Sequence, residues 1–172
     1  MDDNTIPGTN IETAVNIQHI FVRGMEVGLD YHPEGPFTGY FNIAASHAQG
    51  DGTTSGGFLA ALPPSTAFDL DHDQRITYSI GTNFTQDNYF ASLVGSYGSG
   101  LTNGETNGHV SPHFILDGSL GKTFQLGSIG IRPEFYANNI LNHQYLLKGS
   151  FFSGAAWGTP RSFLFKVSIN VD

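Results

Sequence analysis

Apolar and polar residues take turns along most of this chain. Over residues 23–32, Met25, Val27, Leu29 and Tyr31 occupy the odd positions, while Gly24, Glu26, Gly28, Asp30 and His32 fill the even ones. An extended backbone with that pattern presents one apolar face and one small or charged face. After a Pro- and Gly-containing turn near 33–36, residues 37–49 set Phe37, Gly39, Phe41, Ile43 and Ala45 against Thr38, Tyr40, Asn42, Ala44 and Ser46, which predicts a hairpin. Similar alternation predicts strands over 74–84, 114–123, 129–138 and 161–171. A further strand over 89–97 has less distinct faces, because Phe90 and Val94 interrupt the polar side opposite Tyr89, Ala91, Leu93 and Tyr97.

Seven strands are thus expected, separated alternately by short turns near 33–36, 85–88 and 125–128 and by long loops near 50–73, 99–112 and 141–160. The first long loop contains one apolar patch, 58–62, and a helical turn is expected within the loop. In a meander, such alternation puts every short turn at one end of the sheet, and aromatic Tyr31, Phe37, Phe84, Tyr89 and Phe124 fall beside those turns. Short turns on one side, long loops on the other and aromatic girdles describe the wall of an outer-membrane β-barrel.

Composition sharpens this expectation. Only 13% of residues are charged, about half the usual ~25% of a soluble domain. The longest apolar run is nevertheless the five residues 58–62, far below the ~18 that make a membrane helix. A net charge of −8, with seven Lys and Arg against 15 acids, leaves no basic stripe for phosphates, so no nucleic-acid partner is expected. With no Cys, disulfides play no part. The start, Met1-Asp2-Asp3-Asn4, has neither the basic nor the apolar region of an export signal, so an exported chain is expected to carry its signal upstream.

Several strings occur in an order that resembles one family. They are Phe21-Val22-Arg23-Gly24-Met25-Glu26-Val27, Gly35-Pro36-Phe37-Thr38-Gly39-Tyr40, Leu70-Asp71-His72-Asp73-Gln74-Arg75, Ser96-Tyr97-Gly98-Ser99-Gly100-Leu101, Asn138-Asn139-Ile140-Leu141-Asn142-His143-Gln144-Tyr145 and Gly158-Thr159-Pro160-Arg161-Ser162-Phe163. Together they look like successive landmarks in the C-terminal barrel of TonB-dependent outer-membrane receptors. The resemblance implies an all-β, antiparallel transmembrane β-barrel segment, about seven strands of a larger 22-stranded barrel, over 17–172, with 1–16 the remnant of an N-terminal extracellular loop. It also implies a place in the cell outer membrane and a part in importing a scarce, bulky solute with TonB-coupled energy. The implied partners are outer-membrane lipid, the N-terminal plug and the remaining barrel strands, with the TonB complex engaged indirectly through the plug. Val171 occupies the outward position where these barrels usually end on an aromatic residue.

Candidate chemistry is sparse. Asp69, Asp71, His72 and Asp73 form the densest metal-like cluster, but Gln74 and Ile80 stand where an EF-hand loop needs Gly and Glu. The expectation is a solvated loop end in which Arg75 pairs with one of these acids. His47, His109, His113 and His143 lack ligand spacing and are expected mostly at the surface. Glu26, Asp30, Asp117, Arg132, Glu134 and Lys166 share the polar parity and should line the barrel interior as a mixed-charge network. No serine has a nucleophile-elbow context, and Asn83-Phe84-Thr85 matches a glycosylation sequon on an expected strand. No enzyme activity, catalytic residue, cofactor or metal is expected. No substrate-binding residue is assigned, because the loops carry mainly Gly, Ser, Thr and a few acids. The rival reading is a soluble β-sandwich that binds carbohydrate or acts as an adhesive module, which would need a second sheet over its apolar face.

Overall fold

A computed structural model describes residues 3–5, 12–14, 16–55, 65–70, 73–103, 108–148 and 155–171. Seven long strands follow one another as an antiparallel meander: β1 Asn16–Tyr31, β2 Phe37–Ser55, β3 Ile76–Gln86, β4 Tyr89–Gly98, β5 His113–Lys122, β6 Ile129–Asn138 and β7 Ser162–Val171. Each pairs with the next. The short strand Phe124–Leu126 continues β5 along β6, and Ser65–Asp69 pairs with the upper part of β2. The fold is therefore all-β and antiparallel, as its period-two pattern requires, but the sheet is open, with β1 and β7 as edges that no other described strand pairs.

Register converts the alternation of single strands into two continuous faces. Leu29 lies opposite Phe41, Phe41 opposite Ile80, Ile80 opposite Gly95, and Gly95 opposite Leu116. Farther along, Leu120 lies opposite Phe135 and Phe135 opposite Phe165. The other face carries Asp30 opposite Tyr40, Tyr40 opposite Gly81, Gly81 opposite Val94, and Val94 opposite Asp117. Because side chains alternate with period two, a one-residue slip anywhere would exchange the faces. The same register settles β4: Leu93 is on the apolar face, and Phe90 on the polar face. There the Arg132 guanidinium lies 4.0 Å above the Phe90 ring, which occupies the space a Cβ on Gly121 would need.

Among the described residues nothing covers the apolar face. Met25 is 69% exposed, Phe165 64% and Val171 74%, and the buried hydrophobic residues among those described are Val110 and Ala137. No described helix is long and apolar enough to cross a membrane, a finding that does not bear on strands.

Turn chemistry fits the short connections. Asp87 and Asn88 have φ of 49° and 68°, the pair of left-handed residues that a two-residue hairpin turn needs. Gly127 has φ 62°, and Gln125 Nε2 donates to its carbonyl at 2.9 Å.

The long connections hold more structure than expected. Residues 50–55 belong to β2 and pair with the first residues of β1, whereas the alternation predicts a first strand only from 23 and a loop at 50–73. The Gly50, Gly52 and Thr53 chemistry resembles a turn, yet cross-strand pairing supplies the hydrogen bonds, and Gly52, at φ 85°, sits beside the register shifts of both ladders. Short ladders also join Thr102–Asn103 to Gly108–His109 and Leu146–Lys148 to Ala156–Trp157, within the expected loops. At the N-terminus, within the expected loop remnant, Asp3–Thr5 pairs with Glu12–Ala14. The patch 58–62 lies outside the described residues, as do Asp71 and His72, and the described part of 50–73 forms strands rather than the expected helical turn.

Candidate functional site at the long-connection end

Two polar knots and one cavity gather where the long connections meet. The first knot forms because Ser65–Asp69 folds back along β2, with Gln49 opposite Asp69 and Gly50 opposite Phe68. His47 Nε2 donates to Asp69 Oδ1 at 2.9 Å, and Arg75 donates through a terminal nitrogen to Asp69 Oδ2 at 2.7 Å. The Asp73 side chain, only 2% exposed, accepts from the Ala48 amide at 2.9 Å through Oδ1. Its Oδ2 lies 2.7 Å from Arg75 Nε, as an ion pair without an aligned hydrogen bond. The Asp73 carbonyl receives both the amide and the hydroxyl of buried Thr102, at 2.9 and 3.0 Å. One aspartate thus ties three segments together.

Arg75 pairs with both acids rather than with one, and Asp73 is buried rather than solvated. The hydrogen bond from His47, followed by that from Arg75 and opposed by burial, holds the Asp69 carboxyl below its ordinary value. His47, Asp69 and Asp73 bring ligand-type atoms within 4.8 Å of one another. All four carboxylate oxygens are already engaged, however, and the Arg75 cation occupies the position where a metal would balance their charge. This chemistry is that of an ionic clasp.

The second knot is built on Asn139, whose exposure is 2%. Its amide donates to Asp117 Oδ1 at 2.7 Å, and its Nδ2 donates to the His143 carbonyl at 2.9 Å and the Thr159 carbonyl at 3.1 Å. Its Oδ1 accepts from the His143 amide at 2.9 Å, and Asn142 Oδ1 accepts from the Arg161 amide at 3.3 Å. Both asparagines are left-handed, with φ 48° and 50°, a conformation Asn tolerates better than most residues. Nearby, Tyr145 stacks on His113 at 4.4 Å, and the Tyr145 ring fills the space a side chain at Gly158 would take.

Beside this knot, His143, Gln144, Trp157, Gly158 and Pro160 line a cavity of about 350 Å³, in which Trp157 is largely exposed. On the polar face, Glu26, Asn42, Thr77, Ser79 and Ser96 line a second hollow of about 350 Å³.

The charged residues expected on one face are on it, but only part of the set is joined. Glu134 is buried, and its carboxylate receives Arg132 at 3.1 Å and Lys166 at 3.2 Å. Asp117 serves Asn139 instead, and Glu26 and Asp30 stand apart from this network. Of the four histidines expected mostly at the surface, His109 and His143 are exposed, whereas His47 is held in the ionic clasp and His113 is packed under Tyr145 with its Nδ1 buried. Sequence reasoning did not find Asn139, His47 or Trp157 as site residues. The repeated Asn at 138, 139 and 142 and the single Trp in a polar loop were the available signals.

Compared with known proteins, the chain matches no family model, no curated protein and no solved structure.

Proposed function

We propose that this chain is a section of the wall of an outer-membrane β-barrel of the TonB-dependent receptor type, in which strands contact lipid and the long connections form part of a solute-binding mouth. The observation that carries the reading is the continuous apolar face shared by all seven strands, uncovered among the described residues and backed by a mixed face on which small, hydroxyl and charged side chains stand with a few apolar ones such as Phe90, Val94 and Leu164. A transmembrane strand needs about 9–11 residues. Strands β3 to β7 have 10 or 11, and β1 and β2, with 16 and 19, extend past that span on the long-connection side. The Asn139 knot falls within one landmark of the resemblance, the string from Asn138 to Tyr145, and Pro160-Arg161 of another stands just before β7. The wall does no covalent chemistry. It contributes to uptake of a bulky solute, driven through the plug by the TonB complex. The rival sandwich requires a second layer over the apolar face, whereas the described residues build one sheet with small ladders beside it.

The test is depth-resolved quenching in phospholipid vesicles, which the absence of native Cys makes clean. Fluorophores on Phe165→Cys and Phe41→Cys should be quenched by bromine on lipid tails, and those on Ser168→Cys and Asn42→Cys should not. Equal quenching on both parities, or a chain that stays in the aqueous phase as a sharp monomer, would overturn the reading.

A further inference from the structure

Lys122 is out of place on the face it occupies. In register it lies opposite Tyr89, at the end of the apolar series Phe114, Leu116, Gly118 and Leu120, and next to Phe124 in the same parity. Among the described residues no acidic side chain pairs with it; its company is aromatic. Its ammonium donates to the Tyr89 hydroxyl oxygen at 2.6 Å and lies 4.2 Å from the Tyr89 ring centre and 5.1 Å from that of Phe124. Resting on the barrel-wall reading, we propose that Lys122 and Tyr89 form a clamp for the headgroup of an anionic phospholipid at the short-turn rim of the apolar face.

The hydrogen-bond inventory gives the clamp its chemistry. The Tyr89 oxygen accepts one ammonium hydrogen, which leaves the phenolic O–H and two further N–H groups as donors at one spot. A phosphodiester offers two charged acceptor oxygens, and a charge-assisted bond to phosphate is stronger than a neutral one.

Position supplies the second argument. Phe37 and Phe84 pack in a tilted pair, ring centres 5.0 Å apart, on the same end of the sheet, and Tyr31 ends β1 there. Aromatic belts of this kind sit at headgroup depth, where a lysine can keep its charge beside lipid phosphate.

The experiment is flotation of the full chain, diluted from urea onto phosphatidylcholine vesicles with and without phosphatidylglycerol. Wild type should favour the anionic vesicles despite its net charge. Lys122→Gln should lower that preference about fivefold, the value of one cation near an anionic surface. Tyr89→Phe should lower it in the same direction, and Lys148→Gln, with the same charge change at the opposite end, should leave it unchanged. Loss of preference in Lys148→Gln equal to that in Lys122→Gln, or an unaltered preference in Lys122→Gln, would overturn the clamp while leaving the wall reading intact. Loss of preference in inorganic phosphate at constant ionic strength would assign the site to free phosphate and overturn the headgroup proposal. Absence of flotation on any vesicle would remove the wall reading and the clamp with it.

Discussion

Asn139 combines a left-handed backbone at φ 48° with three side-chain hydrogen bonds and almost no exposed surface. Alanine would keep none of the bonds and would tolerate the backbone poorly. Asn139→Ala is therefore expected to destabilise the reconstituted protein by about 2 kcal/mol, from the left-handed penalty together with the loss of part-buried hydrogen bonds to the His143 and Thr159 carbonyls. The urea midpoint, read from the emission of the single Trp157 beside the knot, measures this; a midpoint within experimental error of wild type would show that water replaces the bonds. Asp69 gives a pH prediction of definite sign. Its folded carboxyl titrates below the ordinary value of 3.8, first because of His47 and then Arg75. Its stabilisation is therefore present above the unfolded value and is lost as pH falls below 3.8 through the folded one. Hydrogen exchange of the Leu70 amide, which donates to the Ala48 carbonyl beside the clasp, should accelerate over that acid range in wild type. In Asp69→Asn, exchange should be faster already at neutral pH, with a weaker acid dependence.

At the scale of the strand, register decides which substitutions are tolerated. Arg at Leu29, Phe135 or Val167 places a cation on the apolar face and should cost ~2 to 4 kcal/mol near a bilayer midplane. Ser168 lies on the other face, directly opposite Arg132, so Ser168→Glu should gain a cross-strand partner while Ser168→Arg should suffer like-charge repulsion. Folding yields in vesicles, compared across the series, check the ordering; equal yields for Val167→Arg and Ser168→Glu would contradict it. The seven strands and their faces were legible because period two survives wherever one face is apolar and the other polar. Legibility failed where that contrast fades. In 16–22, Ile20, Phe21 and Val22 run together, and in 50–55 Gly and Thr imitate a turn, so only the pairing of β1 with β2 makes these segments strands. The site was less readable for a related reason. Arg75 stands two residues from Asp73, and a pairing is expected from that spacing; His47 reaches Asp69 across 22 residues through a ladder that no local pattern specifies.

For the whole molecule, the strand count is decisive. In an antiparallel meander of seven strands, β1 and β7 run the same way, so closing this sheet on itself would make a parallel pair between its own edges. Two copies inserted with their short turns on one side meet the same obstacle, since β7 of one and β1 of the other would be parallel. Antiparallel closure with a common topology needs an odd number of strands from elsewhere, and the proposed receptor barrel, of even strand number, would supply that to a seven-stranded section. Left alone, both edges keep unpaired N–H and C=O groups, each costing several kcal/mol within lipid. In water the edges and the apolar face together expose far more than a soluble monomer sustains. The chain by itself is thus expected to aggregate in detergent-free buffer and to form a spread of oligomers in micelles, and light scattering behind size exclusion should record both. Co-refolding with a partner that contributes an odd number of antiparallel strands should collapse that spread to one species. A sharp, concentration-independent monomer in plain buffer that unfolds cooperatively would show instead that the apolar face is covered, which is the behaviour of a soluble module and not of a barrel wall.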